Sequence, residues 1–401
     1  MLNFLQCRQS GIDDPLLIKW AESTRRAFCL GLSRHRDVQQ IHSGGINTLD
    51  IDCVERRYML SGGSEGVIAL YDLHNTSGDI KFTCPSVCTV GKSHRHVHKH
   101  SLLTVQWYPL DTGLFTSSGT DKLLKVWDTN TLIPADTFEF SGIVYSHHMS
   151  PVASQHSLLA VGCLGATVKL VDLKSGSAIH RLKGHKKTVF AVRWSTRDEF
   201  ILATGSEDNN VLLWDVRSAK SYLMSLDQHN GEAKSDTRKG ASSHSGHVNS
   251  LCFSSDGLHL VSFGTDDRIH LWNTTSGRNT MVHYGKVTNE TRKGITMCVS
   301  HNCKPDVLFV PSDSNIDVFD LFTGVRLNVL RGHYNQVNCC VFNPDVQELY
   351  SGGNDRNILV WLPETDTAYD DHLREQKGQL GAKRGAISHP ATADAWSSDE
   401  D

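Results

Sequence analysis

Lys125-Val126-Trp127-Asp128 and Leu212-Leu213-Trp214-Asp215 close two β-rich runs in the same way. Near copies stand at Ile269-His270-Leu271-Trp272-Asn273 and Ile358-Leu359-Val360-Trp361. Ala69-Leu70-Tyr71-Asp72, Lys169-Leu170-Val171-Asp172 and Asp317-Val318-Phe319-Asp320 complete a set of seven. The closing positions 72, 128, 172, 215, 273, 320 and 362 lie 56, 44, 43, 58, 47 and 42 residues apart. A period of about 40–45 residues with this ending marks a wheel of four-stranded blades.

The expected fold class is therefore all-β: a seven-bladed WD-repeat β-propeller over residues 33–363. An N-terminal helical segment (1–32) precedes it, and a disordered acidic C-terminal tail (364–401) follows. A length of 401 residues alone argues for two or three domains, at about 150 residues each. The repeat overrides that prior, because the blades of one ring share a single architecture.

Each clear repeat carries a second pattern. Thr204 stands four residues before Asp208, and Asp208 six before Trp214. The same offsets join Ser117, Asp121 and Trp127; Ser262, Asp266 and Trp272; and Ser351, Asp355 and Trp361. Histidines precede each group, at His185, His100, His247 and His333. The expected arrangement is a buried polar clip, in which the turn Asp binds His, His binds the hydroxyl, and the hydroxyl binds the indole N–H. Each bond adds only about 0.5–1.5 kcal/mol, but a stranded partner costs about 1–3 kcal/mol. Repeat one holds a weaker version in His42, Ser61, Glu65 and Tyr71. Repeats three and six lack the clip, with Val171 and Phe319 in place of Trp.

The two long intervals imply insertions near Ser77–Lys99 and Asp227–Ser245, and both are expected on the face that carries the clip Asp. Residues 13–25 read as a helix capped by Asp13 or Asp14, with Pro15 in the first turn and Arg25-Arg26 near its end. Val38 to Ile41 is the expected outer strand of the last blade, closing the ring and removing its free edges.

The net charge is −4, so no global positive field draws the chain to DNA, and direct sequence-specific DNA binding is not expected. No run of about 18 apolar residues is present to span a membrane. The first ten residues, interrupted by Arg8, do not form a signal peptide. The 11 irregularly spaced cysteines fit a reducing cytosolic or nuclear compartment. Without secretion, the glycosylation patterns at Asn75 and Asn273 carry no meaning.

Several motifs imitate chemistry. Gly62-Gly63-Ser64-Glu65-Gly66 matches a nucleophile elbow but occupies a hairpin turn rather than a strand-to-helix turn. Gly91-Lys92-Ser93 lacks the upstream Gly of a phosphate loop. His94, His96, His98 and His100 alternate, with Cys84 and Cys88 upstream, but match no compact zinc spacing. They read as an exposed loop, and no metal or cofactor is expected. The Ser-His-Asp grouping of the clips repeats around the wheel and is structural, not a triad.

Trp214-Asp215-Val216-Arg217 differs from the other endings, since only this repeat continues to Arg at that offset. A planar guanidinium at the rim of a β surface is a common anchor for a partner protein. This stretch resembles the box of WD-repeat substrate receptors of cullin-4-type RING ubiquitin ligases. Gly44-Gly45-Ile46-Asn47-Thr48-Leu49-Asp50-Ile51, Thr104-Val105-Gln106-Trp107-Tyr108-Pro109 and Val144-Tyr145-Ser146-His147-His148-Met149-Ser150-Pro151 lie outside the generic repeat. With Leu226-Asp227-Gln228-His229-Asn230-Gly231 and the tail 394–400, they resemble the Cockayne syndrome A branch of that family over essentially the whole chain.

The resemblance implies a non-catalytic, nuclear subunit, at chromatin and the nuclear matrix, acting in transcription-coupled excision repair at stalled RNA polymerase II. The implied partners are the triple-propeller adaptor (the large subunit of the damaged-DNA-binding complex), through it cullin 4 and a RING protein, the Cockayne syndrome B translocase and the UV-stimulated scaffold protein. Leu16, Leu17 and Trp20 of the helix, with Trp214, Asp215 and Arg217, would bind the adaptor. Lys122, Lys187, Phe190, Glu207, Tyr334 and Arg356 should face the client. Ser397 and Ser398, three residues before Glu400 and Asp401, suit an acid-directed kinase. Two rival readings stand beside this one: a WD scaffold with no ligase link, and a hydrolase or metalloprotein using Ser64 or the His-rich loop.

Overall fold

The protein is described here by a computed structural model covering residues 9–11, 14–75, 81–218, 222–231, 242–291, 293–301 and 303–363. The acidic tail with Ser397 and Ser398, and the middle of the second insertion, lie outside the described residues. Seven antiparallel sheets follow one another along the chain. Blade four shows the plan: Val189–Trp194 innermost, then Ile201–Ser206, Val211–Asp215 and the short outer Met224–Ser225. Inner strands are buried on both sides because each blade is packed between two others, so Val189–Trp194 reads as a near-continuous apolar run. Outer strands face solvent, and Ser177–Lys183 of blade three has a single buried residue. Blade five holds three strands, Val248–Phe253, His259–Gly264 and Ile269–Asn273.

Blades three and six, recognised by spacing alone, are complete four-stranded sheets. Where the others bury Trp and a clip, they bury Val171 and Phe319 in apolar clusters. The Tyr284 ring meets Phe319 edge-on at 5.6 Å, and its hydroxyl donates to the Leu321 carbonyl.

The ring closes differently from expectation. Leu30–Leu32, not Val38 to Ile41, pairs antiparallel with Ile358–Pro363 as the outer strand of blade seven. The propeller thus begins inside the segment 1–32. Arg36–Val38 instead pairs in parallel with Phe82–Cys84, and Val38 and Ile41 pack against the cluster holding Phe82 and Cys84. The reason is reach. Helix Pro15–Phe28 (α1) ends beside blade seven, so the next extended residues are the ones that meet its open edge.

The expectation that both insertions decorate the clip face holds only in part. Residues 91–99 of the first carry the clip histidine His98, while the stretch before the outer strand does not lie there. In blade one the third strand ends at Asp72 and the outer strand starts at Ser86. The described residues between them, 73–75 and 81–85, therefore lie at the end of the blade where the Trp-Asp runs stop. In blade four the described parts of the connection after the outer strand, 226–231 and 242–247, lie at the clip end.

The polar clips are present with two histidines reassigned. His185 Nε2 lies 2.7 Å from Thr204 Oγ1, which accepts from Trp214 Nε1 at 2.8 Å, while His185 Nδ1 faces Asp208 at 3.0 Å. His333, Ser351, Asp355 and Trp361 repeat this. In blade two the clip histidine is His98, not His100; in blade five it is His244, not His247. His100 is exposed, and His247 Nδ1 binds the Glu207 carbonyl at 2.8 Å. Every clip spans 22 or 23 residues from His to its carboxylate. His42, Ser61 and Glu65 obey that spacing in blade one, while the Tyr71 hydroxyl turns to the Gln39 carbonyl.

Another imidazole joins two blades. His147 of blade three bonds Thr116 Oγ1 at 2.9 Å and Ser118 Oγ at 2.7 Å, both on blade two. Burial, with the nearby Arg193 charge, pushes its pKa down to about 3. An unfolded chain protonates this ring near pH 6.5. Because the folded pKa is depressed, its contribution is complete above that value and falls as pH drops toward 3. At pH 5 His147 alone should cost about 2 kcal/mol, and His98 and His333 are shifted the same way by burial. Denaturant unfolding should show clearly lower stability at pH 5 than at pH 7.5; equal midpoints would contradict this account.

Candidate docking face

The end of the wheel where the Trp-Asp runs stop carries both sequence features that single the chain out. Helix α1 is capped by Asp14, whose Oδ1 accepts from the Leu16 N–H at 2.9 Å. Its C-terminal half is pinned to the turn between the first two strands of blade six. Thr24 Oγ1 donates to the Lys304 carbonyl at 3.0 Å and accepts from the Lys304 N–H at 2.9 Å. Ala27 is buried with Cys303, Phe342 and Trp361. Lys304 Nζ sits 3.6 Å from the centre of the Trp20 ring, covering one of the residues expected to reach a partner. Leu16 and Leu17 are free of the propeller, at 57% and 59% exposed.

On blade four, Arg217 is held in place by contacts within its own blade. Its Nε and Nη2 donate to the two Asp215 carboxylate oxygens at 2.9 and 2.7 Å, and its guanidinium lies 4.6 Å from the Phe200 ring centre. The hydrogen bond from Arg217 holds the Asp215 carboxyl below the usual range. The Arg217 side chain is still 60% exposed, so its remaining edge points to solvent with its rotamer already chosen. Trp214 is corrected here: at 1% exposed it is interior, bonded to Thr204, and cannot touch a partner. Phe200, a strand-flanking aromatic two residues after Asp198, carried no signal in the sequence.

Apolar side chains are exposed around the same end. Val54, Leu110 and Val152 stand in turns between first and second strands, and Ile133, Phe322 and Val325 in turns between third and outer strands. They surround the ring on the side that carries α1 and Arg217. Six exposed apolar side chains thus stand at one end of the ring.

The opposite end holds the expected client residues, with one exception. Lys122 and Arg356 occupy left-handed turn positions at φ 68° and 70° and are exposed. Lys187 faces Glu207 at 3.8 Å, and Tyr334 is 91% exposed. Phe190 is only 7% exposed and packs edge-on against Tyr145 at 4.9 Å, so it belongs to the axial wall. A segment after blade five crosses the axis here. Lys293 Nζ donates to Asn47 Oδ1 of blade one at 2.8 Å, and the Thr296 N–H to the Asn338 carbonyl of blade seven at 3.0 Å.

The catalytic look-alikes stay structural. Ser64 sits in a strand–turn–strand hairpin, and Gly91-Lys92-Ser93 leads into turns, not a helix. The stretch 91–100 is a series of turns, so its four imidazoles do not share one strand face, and His98 is committed to its clip.

Comparison with known proteins agrees with the repeat. The model of the WD domain, G-beta repeat, matches residues 176–215, 239–273 and 324–361. WD repeat-containing protein ATCSA-1 of Arabidopsis thaliana is 34% identical, covering 88% of this chain and 94% of that protein. Radiation-sensitive protein 28 of Saccharomyces cerevisiae is 23% identical over 54% of this chain and 46% of its own length. Serine-threonine kinase receptor-associated protein of Dictyostelium discoideum is 24% identical over 66% and 80%.

The geometry separates fold residues from surface residues in blade four. Trp214→Ala should cost about 3–5 kcal/mol in chemical denaturation. Arg217→Ala, which removes an exposed side chain, should change stability by less than about 0.5 kcal/mol. Similar costs for the two would contradict the assignment.

Proposed function

The chain belongs to the WD-repeat family of Arabidopsis ATCSA-1, and from that premise we propose that it is the substrate receptor of a cullin-4-type RING ubiquitin ligase in transcription-coupled excision repair. The Cockayne syndrome A resemblance read from the sequence is borne out by this relative. In the proposed function one end of the wheel holds the triple-propeller adaptor and the other holds the client, at stalled RNA polymerase II. The Cockayne syndrome B translocase and the UV-stimulated scaffold protein are the proposed partners there, and the site of action is nuclear.

The observation that carries this reading is the gathering of Arg217, Leu16, Leu17 and the apolar turns on a single end of the ring. A receptor of this kind needs no catalytic group. It places client lysines near a charged conjugating enzyme, raising their effective concentration there. Arg217 enters with its orientation fixed by Asp215 and Phe200, so less side-chain entropy is lost on docking.

Removing residues 1–30 is not a clean test, because it deletes part of the strand that closes the ring. Point substitutions avoid this. The full-length chain carrying Leu16→Asp, Leu17→Asp and Arg217→Ala should recover at least tenfold less adaptor in affinity purification. Tyr334→Ala, at the other end, should leave adaptor recovery unchanged. Undiminished recovery by the triple variant would favour a WD scaffold with no ligase link.

A further inference from the structure

Four of the five clips use a single imidazole, and blade five adds a second. His270, two residues before Trp272, stacks edge-on against His244 with ring centres 4.6 Å apart. One ligand atom each from His244, Asp266 and His270 lies within 4.8 Å of the others. His244 Nδ1 is already 3.0 Å from Asp266 Oδ1. His270 Nε2 is buried and has no hydrogen-bond partner. Buried imidazole nitrogens are normally paired, so this one is an unsatisfied donor or acceptor beside two other ligand types. Among the described residues, this is the one group with metal-ligand geometry. We propose that His244, Asp266 and His270 form a binding site for a single zinc ion.

The fit follows from ordinary zinc chemistry. Bonds of about 2.0–2.1 Å to nitrogen in a tetrahedron put donors about 3.3 Å apart. The His244–Asp266 pair is already at that spacing, so only the His270 ring has to close in. Two imidazoles and a carboxylate leave a fourth position for water, as in open zinc sites. Access is present, because Asp266 and His270 line a groove shared with Val282, Tyr284 and Lys286. Lys286 is engaged with Asp267 at 3.2 Å rather than with Asp266. Outside the first ligands, His244 Nε2 is held by Ser262 Oγ at 2.7 Å, which fixes the ring that must present Nδ1.

Binding requires the single proton of the neutral His244 ring to move from Nδ1, where it faces Asp266, to Nε2, where it donates to Ser262 Oγ. The ring stays neutral, and its Nδ1 lone pair is left for the ion. The location also has a use. The third strand of blade five is bordered by the short segment 278–280, which bridges to it at Trp272. An ion here ties that third strand to the turn holding Asp266 and to the connection holding His244. The site stands independently of the ligase reading.

The test uses the full chain, stripped by chelator and titrated with zinc chloride against a chromogenic chelator. The native chain should retain one tightly bound equivalent, and zinc should raise its melting temperature. His270→Leu should weaken that equivalent at least tenfold and abolish the shift. Leucine fits because Leu212 and Leu359 occupy the same position, two residues before Trp214 and Trp361. Should H270L not fold, His270→Gln serves with the same readouts. His94→Gln with His96→Gln, in the His-rich turns, should leave zinc binding unchanged. Equal affinity in the native chain and H270L, loss of the tight equivalent in the H94Q/H96Q chain, or no tight equivalent at all would overturn the proposal.

Discussion

The rest of the molecule depends on satisfying one indole N–H in the dry interior of a blade. Trp brings the large apolar body that fills the space between neighbouring sheets, and with it a donor that must not be left alone. The hydroxyl of Ser117, Thr204, Ser262 or Ser351 accepts that donor at 2.8 Å and passes its own proton to an imidazole. The imidazole is held by an aspartate in the turn between the second and third strands. In blades two, four, five and seven one polar chain therefore runs from the packed middle of the blade to its rim and fixes both the strand and the loop before it. In blades three and six both the Trp and the polar partners are absent, and blade one keeps His42, Ser61 and Glu65 beneath a Tyr whose hydroxyl turns elsewhere.

That coupling explains what could be read in advance. The periodic Trp-Asp endings and the Ser-to-Asp-to-Trp offsets lie on adjacent strands of one hairpin, where register fixes spacing, so they translate directly into blades. The histidine lies across a connection of variable length, and nearest-candidate reasoning chose His100 and His247 over His98 and His244. The constant 22 or 23 residues from His to carboxylate would have chosen correctly, since those two residues bracket an invariant strand pair. Ring closure is hidden in the sequence for a different reason. Leu30-Gly31-Leu32 and Val38 to Ile41 are equally plausible short strands, and only the position where α1 ends decides between them. Arg217 and the two leucines of the helix were legible as exceptions to a repeat. Phe200 and Lys304, which orient Arg217 and cover Trp20, were not, because contacts between distant segments leave no local pattern.

The two ends of the wheel differ in kind. One gathers exposed apolar side chains, a preset guanidinium and a helix; the other gathers charged turn residues, Tyr334 and a segment that crosses the axis. The axial segment makes the clip end unequal around the ring, since it bonds blade one through Lys293, blade seven through Thr296 and blade five through Asn249. A ring built from near-identical parts thereby presents a surface with a direction.

The seam of the ring lies in blade seven, where Leu30–Leu32 pairs with Ile358–Pro363 and α1 precedes it without a break. A closed wheel of this kind opens first where its two chain ends meet, because elsewhere every strand is followed covalently by its neighbour. Any protein that grips α1 therefore holds shut the one place where the wheel can come apart. Its binding free energy is added to that of the seam, so a bound chain should outlast a free one against proteases and heat. A wheel of this design would be most durable with its helix occupied.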